Sequence, residues 1–190
     1  MTFTINYALC IMNYELKRVV FVSNRKNNSA KRIATVAILI AVAFVLSWIE
    51  LILAIATPIP GIKIGLANLA ILFTMYYCSE KEAFLVLVGR LILNAILFGN
   101  VNSLIYSVAG GLLSFAVMVI CKKFFPKHIV YISITGGVFH NIGQLAAASI
   151  IMNTFLSWYM PYLIIGGILA GLFNGIVCQK LLKSSWFKNR

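Results

Sequence analysis

The sequence predicts an all-α integral membrane protein, a bundle of six transmembrane helices. Three observations point to it. The chain has 190 residues and 62% of them are hydrophobic, well above the roughly half expected of a soluble domain. Its apolar residues come in runs of roughly 16 to 24, the length a bilayer demands of a spanning helix. Its basic residues sit in the breaks between those runs.

The charge pattern also limits function. The net charge is +12, a value that invites a nucleic-acid reading. All basic residues except Lys63 and Arg90 fall in the two termini and in alternate breaks. That asymmetry is the positive-inside signature of a cytoplasmic face. It leaves no free basic surface interleaved with aromatics, so nucleic acid is not an expected partner.

Residues 1–30 are moderately apolar but interrupted by Asn6, Asn13, Glu15, Lys17 and Arg18. They lack a small-residue cleavage site after a clean apolar core, so they do not read as a signal peptide. They read as a cytoplasmic tail, an interfacial helix or an over-extended start. The six-helix membrane domain is expected over 31–183, and 184–190 is a basic cytoplasmic tail.

The first helix is expected from about Lys31 to Ala54. Ala34, Ala37 and Ala41 share one of its faces and leave room for another helix to approach closely. Glu50 near its far end pairs with Lys63 or sits in interfacial water. Pro58 and Pro60 must end this helix, because neither has an N–H to donate and each disfavours helical angles before it. Gly61 and Gly65 permit sharp turns. The stretch 55–62 is therefore a loop at one membrane face, and it dips into the second helix, from about Lys63 to Cys78.

Ser79-Glu80-Lys81-Glu82 is a cytoplasmic turn that caps the third helix, expected from about Ala83 to Phe98, since acidic residues favour a helix N-terminus. Helix four spans about Ser103–Cys121 and helix five Ile129–Met152, with the basic break 122–128 between them. Trp158 and Tyr159 suit an interfacial belt. Helix six runs from about Tyr159 to Leu182 and carries Gly167, Gly171 and Gly175 at four-residue spacing.

Polar side chains in such runs are costly and face a cavity or one another. Arg90 and Asn94 lie four apart on helix three. His140 and Gln144 lie four apart on helix five, with Asn141 beside them. With Asn68 and Lys63 they describe a polar pocket open to the outside and roofed by the 55–62 loop. Its positive charge favours an anionic or strongly hydrogen-bonding small molecule. Each residue also has a plainer reading. Arg90 snorkels or pairs with Glu82, His140 is a core histidine, Asn141 serves helix packing, and Lys63 anchors at the headgroups. The argument rests on their shared depth.

Enzyme motifs are missing. All four acidic residues are glutamates, so the chain has no Asp. Magnesium-dependent prenyl or phosphoryl transfer needs several carboxylates to hold the metal on a pyrophosphate. No nucleotide, metal or other cofactor motif is present, so active transport requires partners for energy. The four cysteines, Cys10, Cys78, Cys121 and Cys178, contain no CxxC and read as reduced, mostly buried thiols.

Several stretches then carry a resemblance. They are Lys31-Arg32-Ile33-Ala34, PGIKIGLAN at 60–68, Ser79-Glu80-Lys81-Glu82-Ala83, Arg90, Leu97-Phe98-Gly99, Ala109-Gly110-Gly111-Leu112-Leu113-Ser114 and His140-Asn141-Ile142-Gly143-Gln144. In this order, over about 31–183, they resemble the Gx transporter family, whose members carry the label heptaprenyl diphosphate synthase component I. That family is similar to the substrate-binding S components of energy-coupling-factor (ECF) vitamin transporters, six-helix bundles that bind a small molecule beneath the first loop. The resemblance implies partners, a transmembrane coupling subunit and two ATPases, docking on Ala34, Ala37 and Ala41. It implies a ligand site lined by Lys63, Asn68, Arg90, Asn94, His140 and Gln144. The synthase label is in tension with a chain that has no Asp. The alternative is a non-catalytic membrane component of polyprenyl diphosphate or quinone biosynthesis.

Overall fold

The computed structural model describes residues 29–50, 65–98, 101–153 and 157–183. The described residues form helices and no strand. They are α1 (Ser29–Glu50), α2 (Leu66–Tyr77), α3 (Glu80–Phe98), α4 (Val101–Phe124), α5 (Ile129–Met152) and α6 (Met160–Lys183), with one 3₁₀ turn at Ser157–Tyr159 before α6. The chain divides into two units, one ending at Ile38 and one beginning at Leu39. The expected loop at 55–62, with Pro58, Pro60 and Gly61, lies outside the described residues, as does Lys63.

Three helices, α1, α4 from Ser103 and α6, are long and apolar enough to cross a membrane. This is a membrane protein. Helix α3 carries Glu80, Lys81, Glu82 and Arg90 within its 19 residues. It nevertheless turns Leu85, Ile92 and Ile96 outward, exposed. Helix α2 differs from the expectation. It starts at Leu66 rather than Lys63 and has 12 residues, so it rises only about 18 Å, well short of the hydrocarbon thickness. It is also the most enclosed helix, with eight of its residues from Ala67 to Met75 buried. The reason for the late start is Gly65, whose φ of 67° is left-handed, a conformation that excludes it from a right-handed helix.

Helix α3 begins earlier than the sequence suggests, because the expected turn is its first turn. Ser79 Oγ accepts from the Glu82 N–H at 3.3 Å and donates to Glu82 Oε2 at 2.7 Å, a capping arrangement that answers otherwise orphaned N–H groups. Helix α5 has the expected bounds and stops where Asn153 turns left-handed at φ 48°. It packs most extensively on α6 and α4. Backbone approach makes the α5–α6 seam: a Cβ at Gly171 would lie 2.5 Å from Ile134 Cα and one at Gly167 2.8 Å from Val138 Cα. The four-residue glycine spacing on α6 is thus a packing surface. Of the described thiols, Cys178 is buried and Cys78 and Cys121 are half-buried.

Candidate functional site

The site grows from the break before α2. At Gly65 the backbone leaves the helix while still surrounded by protein, so its N–H and C=O need partners other than water. Glu50 supplies one: its Oε1 accepts the Gly65 N–H at 2.5 Å. Asn174 supplies the other, donating from Nδ2 to the Gly65 carbonyl at 2.8 Å. The Asn68 N–H reaches the same carbonyl at 2.9 Å. Three segments far apart in sequence, the end of α1, the start of α2 and the middle of α6, meet on one glycine.

Glu50 also connects this knot to α3. It is 8% exposed, so it is not the interfacial carboxylate in water that the sequence allowed. Its charge acts on Arg90, itself 4% exposed. Glu82, the other acid offered as a partner for Arg90, is engaged with Ser79 at the helix start. Two adjacent glycines on α4 admit the neighbouring polar groups. A Cβ at Gly111 would come within 3.6 Å of the Arg90 guanidinium. One at Gly110 would lie 2.7 Å from the His140 carbonyl and 2.7 Å from the Gln144 side chain. His140 is buried, and its Nε2 is 3.1 Å from the Gln144 amide nitrogen one turn along α5.

The structure thus places Asn68 at the Gly65 knot, Arg90 within the influence of Glu50 and beside Gly111, and His140 and Gln144 against Gly110. Asn94 lies one turn along from Arg90 on the same face of α3. Asn68 lies in the first turn of α2. Asn141 turns elsewhere: its Nδ2 donates to the Leu163 carbonyl at 2.8 Å and ties α5 to α6. Pro58, Pro60, Gly61 and Lys63 lie outside the described residues, so the roof of the site does too.

Two participants were not expected from the sequence. Asn174 was not singled out, although it is the one carboxamide in the apolar run between Gly171 and Lys180 other than Gln179 near its end. Glu50 was read for Lys63 or water, although it is the one acid within an apolar run. With Glu50 present, the charges of Arg90 and Glu50 offset each other.

The array is unusual in its hydrogen bonding. Asn68 Nδ2 and Oδ1, Arg90 Nε, Asn94 Oδ1 and Asn174 Oδ1 are buried and have no hydrogen-bond partner. Among the described residues, no position outside this array has such an atom. Buried polar groups are ordinarily satisfied, and each exception costs free energy. The five atoms are carried by α2, α3 and α6.

The residues do not fit a magnesium–diphosphate site. There is no Asp, Glu50 already accepts the Gly65 N–H, and Glu80 and Glu82 stand together only at the start of α3. Among the described residues no three His, Cys, Asp or Glu gather.

A family model described as heptaprenyl diphosphate synthase component I matches residues 39–181. The match spans three quarters of the chain and starts where the second unit starts. No curated protein and no solved structure matches the chain. On the strength of that match, reaching from α1 to the end of α6, the chain belongs to the heptaprenyl diphosphate synthase component I family.

Proposed function

We propose that the chain is the substrate-binding membrane subunit of an ECF-type uptake transporter, of the S-component kind, and that its ligand is a small, vitamin-like molecule. The observation that carries this reading is the concentration of buried, partnerless polar atoms on α2, α3 and α6. In a membrane such atoms have no water to turn to. A ligand that met them would recover what burial cost, which is how a binding site differs from a packed core.

In this reading the chain crosses the membrane six times with both termini cytoplasmic, as the distribution of Lys and Arg favours, and α2 makes up only part of its crossing. The short α2 then begins near mid-membrane. Half-length helices that start inside the bilayer and aim their N-termini at a ligand are a recurring transporter device. The 55–62 loop closes over the captured molecule. Ala34, Ala37 and Ala41, exposed on α1, meet a coupling subunit whose ATPases drive release inward. Arg90, Asn68, Asn94, His140 and Gln144 hold the ligand.

The family description favours a second reading, a non-catalytic membrane component standing beside a soluble polyprenyl diphosphate synthase. Gentle purification from native membranes, followed by native mass spectrometry, separates the two. A retained small molecule with co-purifying ATPases supports uptake. A prenyl diphosphate, or an empty chain bound to a soluble aspartate-rich synthase, replaces uptake with the second reading. Arg90→Ala and His140→Ala are expected to lower retention of the ligand while the protein stays folded. Unchanged retention in both would remove this site from the account.

A further inference from the structure

We infer that Asn68 and Asn174, whose amide nitrogens both lie beside Gly65, form a carboxamide clamp for an uncharged ligand edge that both donates and accepts. Lactams, imides and amino-substituted nitrogen heterocycles carry such an edge. The inference rests on the ligand-binding reading above and narrows it to a chemical class.

The geometry begins with the missing side chain of Gly65. The point where its Cβ would stand lies 3.5 Å from Asn68 Nδ2 and 3.8 Å from Asn174 Nδ2. Both carboxamides therefore border the same small space. They are 7% and 3% exposed. Asn174 has a fixed orientation: only its NH₂ can donate to the Gly65 carbonyl, so its oxygen is the free atom. Asn68 is held through its backbone N–H on the same carbonyl, and neither atom of its side chain has a partner. Exchanging the oxygen and nitrogen of Asn68 would still present one donor and one acceptor. The clamp thus offers one amide donor and two amide acceptors whichever way Asn68 is turned.

Charge argues against an anion here. The positive N-terminal end of α2 is already answered by the Glu50 carboxylate at Gly65 N, and Glu50 also acts on Arg90. An incoming carboxylate or phosphate would have to displace Glu50 or face it. It would also bring only acceptors, leaving the Asn68, Asn94 and Asn174 oxygens as bare as before. An N–H beside a C=O satisfies both sides of the clamp. Sites built on buried hydrogen-bonding groups reject analogues that cannot answer them, because the site is then left unpaired.

The test uses the full chain in lipid nanodiscs and ligand-observed NMR titration with four probes: benzamide and 2-pyridone, and the anions benzoate and phenyl phosphate. The expected result is that the amide and the lactam bind at least about tenfold more tightly than the anions. Asn68→Leu should abolish that preference. It should also raise the melting temperature of the ligand-free protein, because an apolar side chain of similar size replaces a buried amide that has no partner. A merely structural Asn68 would move the melting temperature the other way. Tighter binding of the anions, lost in Arg90→Ala but kept in Asn68→Leu, would overturn the clamp and leave the uptake reading standing. Failure of all four probes would overturn the clamp as well, and the fate of the uptake reading would then be decided by the molecule retained from native membranes.

Discussion

The two ends of helix α2 are finished in opposite ways. At its C-terminal end backbone and side chains are tied to neighbouring elements. Lys122 reaches from α4 to the Met75 carbonyl at 2.7 Å, stands 3.6 Å from Glu80 at the start of α3, and lies 5.2 Å above the Tyr76 ring. Tyr76 donates to the Pro126 carbonyl at 3.0 Å, and the Cys78 N–H returns to Thr74 at 2.9 Å. At the N-terminal end the Gly65 backbone is equally well answered, by Glu50 and Asn174. The side chains there are not. Asn68 and the outer oxygen of Asn174 are bare. The difference teaches how a short helix can be both anchor and receptor: its backbone is fixed at both ends, and unused hydrogen-bonding capacity is confined to one. A constellation held this way is preorganised, so little ordering remains to oppose binding.

The largest expected effect breaks the well-answered part of the N-terminal end. Glu50→Ala leaves the Gly65 N–H without its acceptor and Arg90 without its countercharge, both buried. Orphaning a buried donor costs about 1–3 kcal/mol, and more where a buried charge loses its compensation, read as a fall in thermal midpoint in detergent or nanodiscs. Glu50→Gln keeps an acceptor and drops the charge, so it should fall between wild type and Glu50→Ala. Adding Arg90→Met to Glu50→Ala should recover much of the loss, because no lone charge is then left behind. No recovery in the double variant would mean that Gly65, and not the pair, is what Glu50 serves.

A middling effect is expected at Gly65. Any side chain there is strained by the left-handed φ, at about 1–2 kcal/mol. Space is not the cause, since the added Cβ meets Asn68 at an ordinary 3.5 Å. Gly65→Asn should therefore be less destabilising than Gly65→Ala, because asparagine tolerates left-handed angles. Ligand affinity should fall in both, since either side chain intrudes between the two carboxamides. Full affinity in Gly65→Ala would move the binding edge away from this glycine.

Much of this was legible in the residues, but unevenly. Apolar runs and basic breaks announce the all-α membrane class, and the Pro126-Lys127 break and Asn153 bound α5 where the structure has it. The small residues on α4 and α6 announce close packing. Arg90, His140 and Gln144 stand out because a polar group in an apolar run is costly. Glu50 and Asn174 did not stand out in the same way. A lone acid at the end of an apolar run looks interfacial, and a lone carboxamide among glycines looks like packing. Their roles depend on meeting Gly65 from 15 and 109 residues away, a register that no local pattern encodes. Helix α2 was drawn too long for a related reason. Nothing in Lys63-Ile64-Gly65 opposes a helix as strongly as a proline would, and the left-handed turn there is held by distant partners.

The smallest expected effect is at the other end of α2, and it is the control for the comparison. Lys122→Met keeps an apolar stem of similar length and removes the ammonium. It forfeits one hydrogen bond to Met75, a half-exposed ion pair with Glu80 and the contact with the Tyr76 ring. Exposed pairs of this kind contribute little and a single hydrogen bond little more, so the loss should be about 1 kcal/mol. Ligand affinity should not change, because the Lys122 anchor holds α2 at Met75 while the bare amides begin at Asn68, near the helix's opposite end. Measured side by side, Lys122→Met should lower the thermal midpoint and leave binding intact, whereas Asn68→Leu should raise the midpoint and lose binding. If Lys122→Met weakened binding as well, the two ends of α2 would be coupled, and the anchor would have to be counted as part of the receptor.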